Sequence, residues 1–236
     1  KNIKNVKKEH KIDFYKPIGY GSGFIINKSG LIATNWHVVV NAKNIELVFP
    51  NDNNIYRGEL LLKNERNDIA ILKTVGRQLP NICKNKPIPY NFENRNYKIR
   101  TGQNVFTVGY PLGNILGQRP RLSNGMINSP FGVKENDHHF QVDCPIQPGN
   151  SGGPLFNKGG SIIGIIFSAI NEVLVLEGSG ALPQNMNFGI KIIHLDYMLK
   201  NKYRFIYHNE NKLESLSIED QIEVIEPYIS QIVTYN

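Results

Sequence analysis

A chain of 236 residues, 40% hydrophobic and 20% charged, can bury a real core as one large domain or two small ones, and it is too apolar for disorder. Its longest apolar run, SIIGIIFSAI, is strand-sized and bounded by Gly160 and Asn171, well short of the ~18 residues of a membrane span. The net charge of +7 is uneven: Lys1, Lys4, Lys7, Lys8 and Lys11 crowd the start, and Glu210, Glu214, Glu219, Asp220, Glu223 and Glu226 load the end. Such runs read as solvated termini rather than as a nucleic-acid surface.

Taken in chain order, residues 1–80 hold short apolar runs (GFIIN, LIATN, IELVF, IYRGELLLK, DIAILK) broken by Gly, Asn and Pro. They are β-length and rich in β-branched residues, which predicts strands. Residues 76 to 100 change character, with three prolines and little periodicity, so 81–100 is expected to be an interdomain connection. A second set of strand-like runs fills 101–193: NVFTVGY, RLSNGMINS, HHFQVDC, SIIGIIFSAI and MNFGIKII. Short strands at this spacing suggest all-β barrels or sandwiches. Helical patterning is confined to 194–236, expected to be a helical extension. There IIHLDYMLKNKY has an apolar face, and SIEDQIEVIEPYISQIV has another, with Ser217 as N-cap and Pro227 kinking or splitting it. The two cysteines, Cys83 and Cys144, do not make a disulfide framework; Cys144, in an apolar run, is expected to be a buried thiol.

Three motifs carry chemistry. IQPGNSGGPL at 146–155 places Gly149, Gly152 and Gly153 around Ser151. A plain turn has no need of this much glycine around one hydroxyl. A nucleophile does, because substrate backbone must come close and nearby N–H groups must converge. In ATNWHVVV, His37 lies beside apolar residues, a setting that taken alone suits a core histidine. In NDIAILK, Asp68 precedes a strand-like run and taken alone is a turn or cap residue. Together they supply nucleophile, base and orienter in the order His, Asp, Ser.

TNWHVV, NDIAILK and GNSGGP resemble the three catalytic blocks of the trypsin-like proteases, especially the HtrA branch. GSGFII and VGYPLG resemble a first-barrel strand and a second-barrel strand with its turn. The separations, 31 residues from His37 to Asp68 and 83 from Asp68 to Ser151, suit the same family. The resemblance implies two six-stranded antiparallel β-barrels with the active site in the cleft between them. The N-terminal barrel would carry His37 and Asp68, and the C-terminal barrel Ser151. The backbone N–H groups of Gly149 and Ser151 would form an oxyanion hole. Pro145, Ile146, Ser168, Ala169, Met186 and Phe188 would line the primary substrate pocket. Pro145 stands where trypsin has the Asp that binds basic side chains, so cleavage after small or medium aliphatic residues is expected. The family implies protein or peptide substrates and no cofactor, and it favours a secreted or cell-envelope location, with a cytoplasmic one left open. Monomer and trimer both remain open. The 36 residues after Lys200 are too few for the PDZ domain of many HtrA proteins.

Three competitors stand beside this reading. Gly149-Asn150-Ser151-Gly152-Gly153 also fits G-x-S-x-G, the nucleophile elbow of α/β-hydrolase esterases, with Glu172 or Glu177 and then His194 completing a triad. An elbow serine opens a helix, whereas Pro154, Gly159 and Gly160 follow here. Asp137-His138-His139 could chelate a metal, but adjacent side chains on a strand diverge. The third is a catalytically silent binding module of the same fold.

Overall fold

The computed structural model describes residues 16–77, 80–85, 87–93, 96–167, 186–199 and 213–236. The basic run from Lys1 to Lys11, and Ser168 and Ala169, lie outside these residues. The described chain is mostly strand, arranged as two closed six-stranded antiparallel barrels with a few short helices. This architecture rules out the esterase elbow, because the turn at Ser151 runs into a strand and not a helix.

The first barrel is built from β1 (Gly19–Ile25), β2 (Ile32–Thr34), β3 (Asn44–Val48), β4 (Ile55–Asn64) and β5 (Ile69–Thr74), closed by β12 (Ile229–Tyr235). Phe24, Ile32, Leu47, Ile69, Ile71 and Ile232 are fully buried in it. The second barrel comprises β6 (Asn104–Gly109), β7 (Arg121–Ser129), β8 (His139–Val142), β9 (Pro154–Asn157), β10 (Ile162–Phe167) and β11 (Asn187–Lys191). Cys144 is fully buried beside Val142 and Ile146 in its core, and burial pushes its thiol pKa up to about 12.

Short helices punctuate the strands: α1 (Trp36–Val39), α2 (Asn81–Asn85), α3 (Gly113–Leu116), α4 (Ile193–Leu199) and α5 (Ile218–Ile225). None of the described helices is long and apolar enough to cross a membrane.

Within the stretch between the barrels, Tyr90 and Phe92 are buried. Tyr90 is 1% exposed and donates its hydroxyl to the Ile25 carbonyl of the first barrel at 2.6 Å. Its ring meets Phe156 of the second barrel edge-on at 5.7 Å, and Tyr228 at 6.0 Å. Residues 91 and 93 exchange backbone hydrogen bonds with Ile162 on β10. This segment therefore joins the two cores.

The expectation of helix through the last segment needs correcting. Ser217 does cap α5, accepting from the Asp220 N–H at 3.2 Å. Beyond Pro227 the chain turns to strand, and β12 inserts between β1 and β3 with registers Ser22↔Gln231 and Leu47↔Ile232. From Ile229 to Thr234 every residue is buried. With both faces covered, no alternation distinguishes this strand, and the spacing Ile225, Ile229, Ile232 happens to fit a helical period.

Candidate active site

Antiparallel pairing explains how residues distant in sequence meet. β2 pairs with β5 through Thr34↔Ala70, so the exit of β2 lies beside the entry of β5. One turn of helix, α1, follows β2 and carries His37; a tight turn before β5 carries Asp68. The buried Asn35 side chain donates to the Asp68 carbonyl at 3.0 Å, and the Trp36 N–H donates to the same oxygen at 3.2 Å. Asp68 sits at φ 50°, a left-handed conformation that Asp tolerates better than most residues.

Both carboxylate oxygens of Asp68 are committed to one residue. Oδ1 accepts from the His37 backbone N–H at 2.8 Å, and Oδ2 lies 2.6 Å from His37 Nδ1. A carboxylate can only accept, so Nδ1 must carry the proton and Nε2 is left as the acceptor.

Ser151 is brought to the same place by a turn between β8 and β9. Gly152 donates to the Ile166 carbonyl and Ile166 to that of Gly153, tying the turn to β10 at 2.9 Å each. The Ser22 N–H donates to the Ser151 carbonyl at 2.8 Å, fastening the turn to the first barrel. Gly149 and Gly152 adopt φ of 100° and 88°, open to glycine at little cost. A Cβ at Gly149 would stand 2.3 Å from the Tyr110 carbonyl oxygen, and one at Gly152 would stand 2.2 Å from Thr34 Oγ1. The Pro148 carbonyl accepts from the Leu112 N–H at 2.7 Å. In a trans peptide the N–H of Gly149 then points the opposite way.

His37, Asp68, Gly149 and Ser151 all line one cleft of about 690 Å³. Glu65, Val38, Tyr20 and Phe167 share its walls.

The remaining pocket candidates are placed differently. Pro145 is exposed, and Met186 is half-buried. Ile146 is 6% exposed in the second barrel's core, and Phe188 is 2% exposed, with its ring 5.9 Å from that of Phe167. Neither of these two lines the cleft that holds His37, Asp68 and Ser151. Asp143 is turned back onto β7, where Oδ1 accepts from the Met126 N–H at 2.6 Å. The sequence reading missed Phe167, although it directly precedes the candidates Ser168 and Ala169. It also missed Ser22 and Leu112, whose roles run through backbone groups that no side-chain motif advertises.

Beside Asp68 lie three histidines. His138 Nδ1 meets Asn67 Oδ1 at 2.7 Å, next to Asp68, and its ring stacks on His194 at 4.5 Å. His139 instead packs on Phe167 at 4.7 Å. Burial above all, then repulsion from His138, lowers the pKa of both His139 and His194 from 6.5 to about 4. Asp68 opposes this shift for His139 and Asp137 for His194, while Lys191 reinforces both. Between these values the unfolded chain binds more protons than the folded one, so stability falls as pH drops from about 6.5 toward 4. Thermal melts across that range should show a falling Tm, and His139→Phe should flatten the fall. An unchanged slope in that variant would remove His139 from the account.

Residues 21–165 match the family model described as trypsin-like peptidase domain. A "Probable periplasmic serine endoprotease DegP-like" of Rickettsia prowazekii is 33% identical over 177 residues, covering 72% of this chain and 32% of the relative. A protein of the same description from Pseudomonas fluorescens is 35% identical over 148 residues, covering 61% and 28%. An uncharacterized protein of Sinorhizobium fredii, y4bJ, is 29% identical over 171 residues, covering 72% and 25%. The chain thus spans about a quarter to a third of the length of these relatives. By the family match over most of its length and by its paired six-stranded barrels, the chain belongs to the trypsin-like serine peptidase family.

Proposed function

We propose that this chain is a serine endopeptidase acting through Ser151, His37 and Asp68 by way of an acyl-enzyme. The observation that carries the reading is the two-point hold of Asp68 on His37, with Ser151 and Gly149 lining the same cleft. His37 Nε2 takes the Ser151 proton as Oγ attacks the substrate carbonyl, and the N–H groups of Gly149 and Ser151 receive the developing oxyanion. The imidazolium, stabilised by Asp68, returns its proton to the leaving amine. Water, deprotonated by His37, then frees the acid and restores Ser151. A fluorophosphonate tests this directly: mass spectrometry should find the adduct on Ser151, and His37→Ala should take up the label far more slowly. Equal labelling of the two would overturn the assignment of the base.

The specificity proposed is for small or medium aliphatic residues before the scissile bond. No acid stands at Pro145, and Asp143 is occupied on β7. A substrate Lys or Arg would therefore be desolvated without a partner, at a cost of several kcal/mol. Matched peptides differing only at that residue should be cleaved after Val, Ala, Leu or Ile in preference to Lys or Arg. The reverse preference would sink the assignment. Protein or peptide substrates follow from the family, and the periplasmic naming of the relatives favours a secreted or cell-envelope setting.

A further inference from the structure

The oxyanion hole proposed above depends on the backbone at Gly149, which is flanked by two peptides. Gly149 is conformationally permissive, and within the loop the peptide joining it to Asn150 is held through its N–H, which donates to the Gln147 carbonyl at 3.0 Å. Its carbonyl is held from outside the loop. The hydroxyl of Ser22, on β1 of the other barrel, donates to the Gly149 carbonyl at 2.7 Å. The same hydroxyl accepts from the Tyr110 N–H at 2.9 Å. Both partners have one possible role, since an amide N–H only donates and a carbonyl only accepts. The single hydroxyl proton must therefore point at Gly149.

Ser22 itself has no freedom to move. It is fully buried, its N–H is spent on the Ser151 carbonyl, and its own carbonyl accepts from Thr34 Oγ1 at 2.8 Å. A Cβ on Gly109 would lie 2.8 Å from its Oγ, so the space around the hydroxyl is filled. Two consecutive peptides are thereby pinned by separate donors: the Pro148 carbonyl by Leu112, and the Gly149 carbonyl by Ser22.

We infer that Ser22 is a positioning residue for catalysis, a clamp from the first barrel that fixes the Gly149 carbonyl and so, through the two backbone torsions of that glycine, keeps the N–H of the preceding peptide facing the developing oxyanion. The inference rests on the protease reading and deepens it. Its effect belongs in the transition state, because the hole binds the tetrahedral oxyanion more tightly than the ground-state carbonyl.

The test compares Ser22→Ala, Ser22→Cys and Thr107→Val with wild type. The probes are the best-cleaved internally quenched peptide of a library and a boronic acid of the same sequence, which forms a tetrahedral adduct on the serine. Thr107, whose hydroxyl donates to the Pro154 carbonyl at 2.7 Å, controls for loss of a buried hydroxyl elsewhere. Ser22→Ala should lower kcat by about 10- to 100-fold with KM within about twofold, and weaken boronate binding in proportion. The low-field His37 Nδ1–H proton resonance should persist, showing that the His37–Asp68 pair is intact. Ser22→Cys, with a weaker and longer donor, should fall between, and decides the matter on the same readouts if the alanine variant does not fold. Thr107→Val should lose a similar amount of Tm and keep kcat and boronate affinity. Should the Ser22 variants behave as Thr107→Val does, Ser22 is structural and the clamp is wrong. Ser151→Ala, run in parallel, separates the two levels: turnover surviving there removes the protease reading itself.

Discussion

Ser151→Ala and His37→Ala are each expected to cut turnover of a protein substrate by roughly 10⁴-fold or more, because triad members act as a unit. Asp68→Asn should be about as damaging for a different reason. An amide in place of the carboxylate can still offer one oxygen to the His37 backbone N–H, so α1 should stay in place. It cannot stabilise the imidazolium, and its N–H₂ group would favour the wrong imidazole tautomer. The three variants should therefore unfold near the wild-type temperature while losing nearly all activity. Turnover of labelled casein, measured beside a thermal melt, checks both halves. Substantial cleavage by Ser151→Ala would remove the nucleophile, and a large loss of Tm in Asp68→Asn would make that residue chiefly structural.

The second large effect is expected at the far end of the chain. β12 forms six registered pairs with β1 and five with β3, and without it the first barrel has two open edges. β1 carries Ser22, which touches both Gly149 and Ser151. Tyr110, beside the same loop, donates its hydroxyl to the Ile229 carbonyl at 3.1 Å. Deleting residues 229–236 should therefore abolish cooperative unfolding of the first barrel together with activity. The milder Ile232→Ala, at a fully buried position, should cost about 2–5 kcal/mol, read by denaturant titration. A chain ending at Tyr228 that still cleaved casein at the wild-type rate would show that β12 is dispensable.

The candidate site was more legible in the sequence than the closure of the fold. His37, Asp68 and Ser151 could be picked out because each lies in a local motif whose residue types answer a chemical need. The glycines around Ser151 were informative for the same reason, and the φ values of Gly149 and Gly152 agree with that need. Strand runs up to MNFGIKII were readable from short β-branched segments between turn residues. Helix α5 was readable from its Ser217 cap and periodicity, yet the same periodicity continued misleadingly into β12.

What the sequence determined by itself is local: the candidate residues for acyl-transfer chemistry, the turns that present them, and the strands that make up the walls. Those properties depend on a few neighbouring side chains and on backbone sterics. Tertiary structure alone decided that the final strand closes the first barrel, that Tyr90 joins the two cores, that Ile146 and Phe188 are core residues, and that Ser22 reaches the Gly149 carbonyl. The last of these is a hydrogen bond between residues 127 positions apart. Such contacts leave no local periodicity, because a strand buried on both faces, or a serine hydroxyl meeting a backbone carbonyl, acquires its partners only when the barrels close and pack.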